Sequence, residues 1–446
     1  MDLISSVGTS LLAFVFVLGV MIFVHELGHY AVAKFLGIRV EVFSLGFGPR
    51  ILGFTRGDTD YRVSLLPLGG YVKMAGETYD EDLTGSEEEF LSRPKLHRFA
   101  VAVAGPVMNI FLAWFLLAVS YTAGVEVAAY RGQPAVIGVI VPDSPAERAG
   151  LQLNDRIVSI DGEPTPAWAQ VELTIGISPN QTLRLGLERE DGSRVDKEVT
   201  TKTQGTSELG TIGAGPSFPW SIEGVDPVSP AAEADLREGD AILYVDDSDG
   251  KRANGFYEIP PFVESRAGQP LLFTILRQEQ ILEKTIIPVK MGDMVRIGIK
   301  GKELVKLDIE RYGPVEAVVK SFRRNVQITG LTFYIVGKIV TGRASLKTMS
   351  GPIEIARYSG AAASSGLIHL MGFMALVSLQ LGIFNLFPIP ILDGGVIALL
   401  AVEGLIGRDL SLAVKERIFQ VGFIFLVLLM GVVIFNDVSK NLPFFD

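Results

Sequence analysis

Four long runs without a charged residue constrain this chain more than any other feature: Leu3–Val24, Phe99–Val125, Tyr358–Leu392 and Ile418–Asn436, of 22, 27, 35 and 19 residues. A helix of about 20 apolar residues crosses the hydrocarbon layer of a bilayer, so each run is long enough to span one. Of the 446 residues 48% are apolar and 20% charged, and mean hydropathy is +0.36, a balance that argues against a purely soluble enzyme. The first run lacks a basic leader and a small-residue cleavage site, so it reads as a retained span. The third exceeds one plain helix, and Asn385-Leu386-Phe387-Pro388-Ile389-Pro390 should break it. A broken helix at membrane depth is tolerated only where protein or water satisfies its backbone, which marks a candidate site.

Lysine and arginine in the short flanks set the orientation. Residues 34–98 hold nine and residues 393–417 three, whereas the first eight residues hold none and the segment from Asp437 only Lys440. Both termini and the large central region are therefore expected outside, with both short connections in the cytoplasm. A net charge of −10 and the lack of any basic run exclude nucleic acid as a partner. With no cysteine, disulfides, thiol nucleophiles and cysteine-ligated metals are excluded as well. Histidine chemistry must draw on His25, His29, His97 and His369, of which the last two read as interface residues.

The central region, about 127 to 310, has short β-branched runs and Gly/Pro/Asp turns, and it repeats itself. Ser144-Pro145-Ala146, Ala149, Leu151, Asp155, Ile157 and Asp161 return 85 residues later as Ser229-Pro230-Ala231, Ala234, Leu236, Asp240, Ile242 and Asp246. A period of this length is a duplicated domain. Each copy opens with an x-Gly-Val step at Gly138 or Gly224, followed by Ser-Pro-Ala starting a short helix and Asp-x-Ile leading into a strand. This pattern resembles PDZ domains of the bacterial protease type, which implies peptide addition at a sheet edge, with Gly138 and Gly224 as candidate contacts. The second copy departs from it, with Asp235 in place of Gly150 and Asp247 in place of Gly162. Aspartate tolerates left-handed backbone, so the fold should survive there, although the case for peptide capture is weaker. Spacers or steric filters are the alternative for both copies.

Chemistry is concentrated in His25-Glu26-Leu27-Gly28-His29, at the cytoplasmic end of the first span. On a helix, positions i and i+4 share a face, so both imidazoles can reach one metal while Glu26 stands beside it as general base. Charge inside a membrane segment is costly and usually functional. Two histidines leave catalytic zinc one protein ligand short. Asp393 is the nominee, because it interrupts an apolar stretch and metal coordination would offset the cost of its burial; Glu403 is the rival. Arg39 to Ser44 and Tyr61 to Leu66 alternate like strands around glycine-rich turns, which suggests a hairpin that clamps substrate by strand addition through Tyr61, Val63 and Leu65. Asn109 and Asn385 are amides at membrane depth and further candidates for substrate contact, the alternative being that they tie helices together. Residues 322–340 read as an amphipathic interfacial helix and a candidate gate. The acids at Asp80-Glu81-Asp82 and Glu87-Glu88-Glu89 read as a solvated loop.

Taken in chain order, His25-Glu26-x-x-His29, Ala104-Gly105-Pro106-Val107-Met108-Asn109, the paired repeats, Ser350-Gly351-Pro352-Ile353 and Asn385-x-x-Pro388-x-Pro390-x-Leu392-Asp393-Gly394-Gly395 resemble the site-2 family of intramembrane zinc proteases along nearly the whole chain. The resemblance implies that Zn2+ is the cofactor, that His25, His29 and Asp393 hold it and that Glu26 activates water. It also implies single-span membrane proteins as substrates, of the anti-sigma factor type or remnant signal peptides, and a bacterial inner-membrane location in contact with the lipid bilayer. The expected fold is an α-helical membrane protein with four transmembrane helices, a membrane-associated β-hairpin and two inserted PDZ-like α+β domains. The expected divisions are 1–126 for the first membrane half, 127–212 and 213–300 for the two PDZ-like domains, 301–368 for a linker with an interfacial helix, and 369–446 for the second membrane half. A membrane-tethered peptide-binding scaffold without catalysis is the other reading.

Overall fold

The computed structural model describes residues 3–77, 84–204, 209–291, 294–342 and 350–441. They fall into two units, one formed by the chain up to Val125 and from Glu310 onward, the other by Glu126–Ile309.

In the first unit, helix α1 (Leu3–Phe35) runs through the uncharged stretch and carries on past His25 and His29. Gly37, in the left-handed region at φ +72°, ends it. Two long strands follow, β1 (Val40–Arg56) and β2 (Thr59–Met74). Both bend, so they make more than a simple hairpin. Residues 40–45 pair with 70–74 on one side (Val40 with Met74, Phe43 with Val72) and with 60–63 on the other (Phe43 with Tyr61, Leu45 with Val63). Residues 50–56 then pair with 59–64, so four stretches lie side by side in the order 70–74, 40–45, 59–64, 50–56. Gly46 makes the bend possible: its φ is +94°, and a β-carbon there would lie 2.8 Å from the Leu66 carbonyl oxygen. The outermost stretch exposes Ile51, Leu52 and Phe54, a surface suited to lipid. Helix α2 (Lys95–Ala123) completes the first half and contains Pro106 in its interior.

The second unit holds two copies of one sheet-and-helix domain. In the first copy, strands 135–136, 156–160, 182–188 and 194–200 form a sheet that packs, through Ile157, Leu185 and Leu187, on Val171. Its helices are α3 (Pro145–Arg148) and α4 (Trp168–Gly176). The second copy orders strands 280–286, 271–277, 241–246, 220–225 and 299–303, with α5 (Pro230–Glu233) and α6 (Gly255–Glu264). The repeat has a physical basis. Ser144 and Ser229 cap α3 and α5 by accepting from the Glu147 and Ala232 amides. Asp155 and Asp240, both buried, accept from the amides three residues before them. Asp235 matches Gly150 in left-handed backbone, at φ +57° against +73°. Asp247 does not match Gly162: Gly250 (φ +77°) turns the chain instead, and Asp247 accepts from the amides of Asp249 and Lys251. Ala214–Gly215 pair with Val139–Ile140, so the first copy runs past residue 212.

The second half of the membrane unit begins with α7 (Pro314–Val340), which starts eight residues before the expected amphipathic stretch because Pro314 suits a first helical turn. It docks on α2, where the Trp114 indole donates to the Val318 carbonyl. The 35-residue run breaks twice, into α8 (Pro352–Ser364) and α9 (Leu367–Asn385), with Gly366 at φ +110° between them, and then at Leu386–Leu392 as the prolines require. The chain resumes as α10 (Asp393–Ile406) and α11 (Leu412–Asn441). Asp437 of α11 accepts from the Ile353 and Glu354 amides and so caps α8 from another helix. Among the described residues, α1, α2, α9 and α11 are long and apolar enough to cross a membrane, matching the four uncharged runs. Val17 and Met21, Ala113 and Leu116, and Ala375 and Leu379 form the shared core of α1, α2 and α9.

Candidate active site

One turn of α1 presents His25 and His29 on the same face, both buried, with their Nε2 atoms 3.2 Å apart. The Asp393 carboxylate meets them from the start of α10, with Oδ2 3.1 Å from His25 Nε2 and Oδ1 3.4 Å from His29 Nε2. Asp393 can stand there because the chain beneath it is small: β-carbons at Gly394 and Gly395 would lie 2.1 Å from the Phe387 oxygen and 2.4 Å from the Ile389 oxygen. The first turn of a helix also favours a carboxylate.

These separations bear on whether a metal fits. A tetrahedral zinc ion with bonds of about 2.0–2.1 Å holds its ligand atoms about 3.3 Å apart, close to the 3.2 Å between the two Nε2 atoms, each of which has an Asp393 oxygen within 3.4 Å. Each imidazole also needs its other nitrogen protonated and anchored. His29 Nδ1 lies 2.7 Å from the Val101 carbonyl, to which it donates, leaving Nε2 free to coordinate. His25 Nδ1 lies 3.2 Å from the Asn109 amide, whose Oδ1 is buried without a partner. Turning that amide over places Oδ1 against the His25 N–H, which satisfies the orphan acceptor and frees Nε2 in one step. Asn109 is wholly buried, and its own carbonyl accepts from Ser378 of α9. Gly105 leaves the space in front of the imidazoles open, since a β-carbon there would lie 2.3 Å from His29 Nε2. The donor set, the anchors and the gap all suit zinc.

Glu26 lies beside this cluster, its carboxylate against the Val72 backbone and its Cγ near Gly70. Together they line a cavity of about 450 Å³ that reaches Asn385, Arg98 and Glu403. Glu403, the rival ligand, is paired instead: its carboxylate is 2.7 Å from Lys415 and accepts from the Leu410 amide. Asn385 faces the cavity, at the end of α9.

Three expected substrate contacts are placed elsewhere. Tyr61, Val63 and Leu65 sit on an inner stretch of the sheet with ladders on both sides for 61–63, so this stretch offers no edge for strand addition; the Tyr61 hydroxyl bonds to that of Tyr30. The wall of the cavity comes from Tyr71, Val72 and Met74, on the outer stretch. In the other unit, the Gly138 amide already donates to the Gly215 carbonyl, and Gly224 sits at a shift in the ladder between 220–225 and 299–303. Gly105, the Val101 carbonyl and Arg98 escaped the sequence reading as site residues. A signal for the last existed, because Arg98 and Gly105 are seven apart and share a helix face.

The profile of peptidase family M50 matches residues 13–429. The chain belongs to peptidase family M50. The regulator of sigma-E protease RseP of Salmonella typhimurium is 36% identical, over 97% of this chain and 98% of the relative. The Escherichia coli protein of the same name is 35% identical over 96% and 98%. A Neisseria meningitidis protein named as a zinc metalloprotease is 32% identical over 97% and 99%. This M50 peptidase is thus a zinc metalloprotease and a membrane protein.

Proposed function

We propose that this M50 peptidase hydrolyses peptide bonds within the membrane, in single-span proteins, with His25, His29 and Asp393 holding zinc and Glu26 as the base. The observation that carries this reading is the meeting of three ligand atoms within 4.8 Å of one another, two of them on a helix long and apolar enough to cross a bilayer.

When bound, zinc polarises the scissile carbonyl and makes water a nucleophile near neutral pH. Glu26 takes the proton from water and passes it to the leaving nitrogen. Asp393 and the histidines fix the reacting groups, while the Val101 carbonyl and Asn109 hold the imidazoles in the metal-binding tautomer. A helical substrate shields its own amides, so it must unwind and have them paired elsewhere. The outer stretch 70–74, laddered on one side to 40–45 and lining the cavity on the other, is the edge for that strand, and the role assigned from sequence to Tyr61–Leu66 passes to it. Asn385 completes the substrate contacts.

The flanking lysines and arginines support an inner-membrane protein with the cytoplasm on the side of residues 34–98. The name shared by the Salmonella and Escherichia coli relatives supports an anti-sigma factor type of substrate, alongside remnant signal peptides. The two repeated domains read as a PDZ-like pair that binds an extended peptide or excludes bulky proteins; the engaged Gly138 amide favours exclusion.

The test is zinc content and cleavage of a single-span reporter by the wild type, Glu26→Gln and Asp393→Ala. Glu26→Gln should keep zinc and lose activity; Asp393→Ala should lose both. Equal cleavage by Glu26→Gln would end the base assignment, and zinc without cleavage by the wild type would favour a scaffold.

A further inference from the structure

The catalytic cavity contains a cation that the mechanism does not use. Arg98, in the first turn of α2, is 5% exposed and lines the same cavity as His25, Glu26 and Asp393. Its Nε is buried without a partner, and among the described residues its nearest carboxylate, Asp409, is 3.8 Å away, beyond hydrogen-bond reach. Asp409 is itself bound at 2.9 Å by Lys95. The contrast with the cavity's other buried cation is direct, because Lys415 is neutralised by Glu403 at 2.7 Å. Of the two, Lys415 is held in a short ion pair, whereas Arg98 has only the longer contact with Asp409, and its Nε is left without a hydrogen bond.

Position says what that is. Arg98, Val101 and Ala102 line the cavity, and a β-carbon at Gly105 would meet both imidazoles, so these residues follow one face of α2. Seven residues of helix place Arg98 about 10 Å along the axis from Gly105. That equals about three residues of an extended strand. A guanidinium presents a planar fork of donors suited to two carboxylate oxygens, and a buried one held only by a 3.8 Å contact gains a shorter, two-pronged partner when such a group arrives.

We propose that Arg98 is a carboxylate-binding subsite of the catalytic cavity. The group it receives is an Asp or Glu side chain about three residues from the scissile bond, or the new α-carboxylate released by hydrolysis. This rests on the reading that the cavity holds an unwound single-span substrate, which zinc and Glu26 attack.

The experiment uses the full-length, zinc-loaded enzyme in detergent, with single-span reporters carrying one Asp or one Asn at each of five positions on either side of the cleaved bond. If a substrate side chain is the ligand, Asp should exceed Asn at one position by at least tenfold in kcat/KM. Arg98→Gln should erase that preference while retaining zinc, and Arg98→Lys should keep part of it. If the ligand is the product, synthetic product peptides ending in a free carboxylate should inhibit at least tenfold better than the carboxamides, again only with Arg98 present. Asp409→Asn removes the competing acid, so it should sharpen whichever preference exists, a gain that a misfolded protein does not give. Arg98→Gln that discriminates and is inhibited like the wild type overturns the proposal, as does Asp409→Asn with no effect on either measure. A wild type that cleaves no reporter would instead sink the reading of function.

Discussion

Gly105 of α2 faces His29 of α1 so closely that a β-carbon at position 105 would lie 2.3 Å from the imidazole Nε2 and 2.8 Å from His25 Cε1. The side chain missing from α2 leaves room for the proposed metal site. Gly105→Ala should push one imidazole aside and weaken zinc binding on the order of 10–100-fold, the loss typical when a ligand's support is disturbed. Competition with a chelator measures it, and unchanged affinity would show that the helices separate freely.

Asn109 supports His25 as the Val101 carbonyl supports His29. Asn109→Leu removes the acceptor and should also cost on the order of 10–100-fold in zinc affinity. Asn109→Asp keeps an acceptor and should recover most of it. Ser378→Ala, which removes a hydroxyl that donates to the Asn109 carbonyl and not to its amide side chain, should leave zinc affinity alone. If Leu and Asp behave alike, the amide merely fills space.

Glu403 and Lys415 are both buried, at 1% and 6% exposure. Lys415→Met strands a buried carboxylate and should destabilise the protein by about 3–5 kcal/mol, whereas the double change Glu403→Leu with Lys415→Met should recover much of the loss. Unfolding in detergent compares the three. A double variant no better than the single would mean that the pair works through other partners.

The loop before α2 gives a pH signature. Read from the sequence as solvated, it has Glu89 only 9% exposed, accepting from the Thr84 hydroxyl and amide, the Ser92 hydroxyl and the Gly85 amide. Led by the Thr84 donors, these hold its carboxyl down at about 2, against an ordinary 4.5. A depressed value means that the loop's stabilisation is complete above 4.5 and disappears as pH falls through about 2. Hydrogen exchange at Thr84 and Gly85 should stay slow at pH 4 and accelerate near 2; Glu89→Gln should exchange fast throughout. The companion acids Asp80, Glu81 and Asp82 lie outside the described residues.

What could be read from the sequence was what depends on local spacing or on the cost of burying charge. His25 and His29 share a face because four residues make about one turn. Asp393 stood out as a lone acid in an apolar stretch, and its place beside both imidazoles agrees with that. Alternation along Tyr61–Leu66 correctly signalled a strand, but alternation is blind to which strands border it, and the bends at Gly46 and after Gly48 turn one hairpin into four stretches. Likewise nothing near Gly138 in the sequence signals that its amide donates to Gly215, 77 residues away. Equating Asp247 with Gly162 assumed equal turns, whereas the second copy turns three residues later, at Gly250. Arg98 counts in the sequence only toward orientation, because nothing in a sequence reports that the acid opposite it, Asp409, stays 3.8 Å away.

Asp393 reaches His29 across 364 positions of chain, from a helix that begins only after the interruption at Leu386–Leu392. α1 is seated by its own packing on α2 and α9, whereas the first residue of α10 would be secured to it through the proposed zinc ligands. Zinc would thus act as a fastener between the opening and closing portions of the polypeptide. Stripping it should loosen α10 before it loosens the helix that carries both histidines.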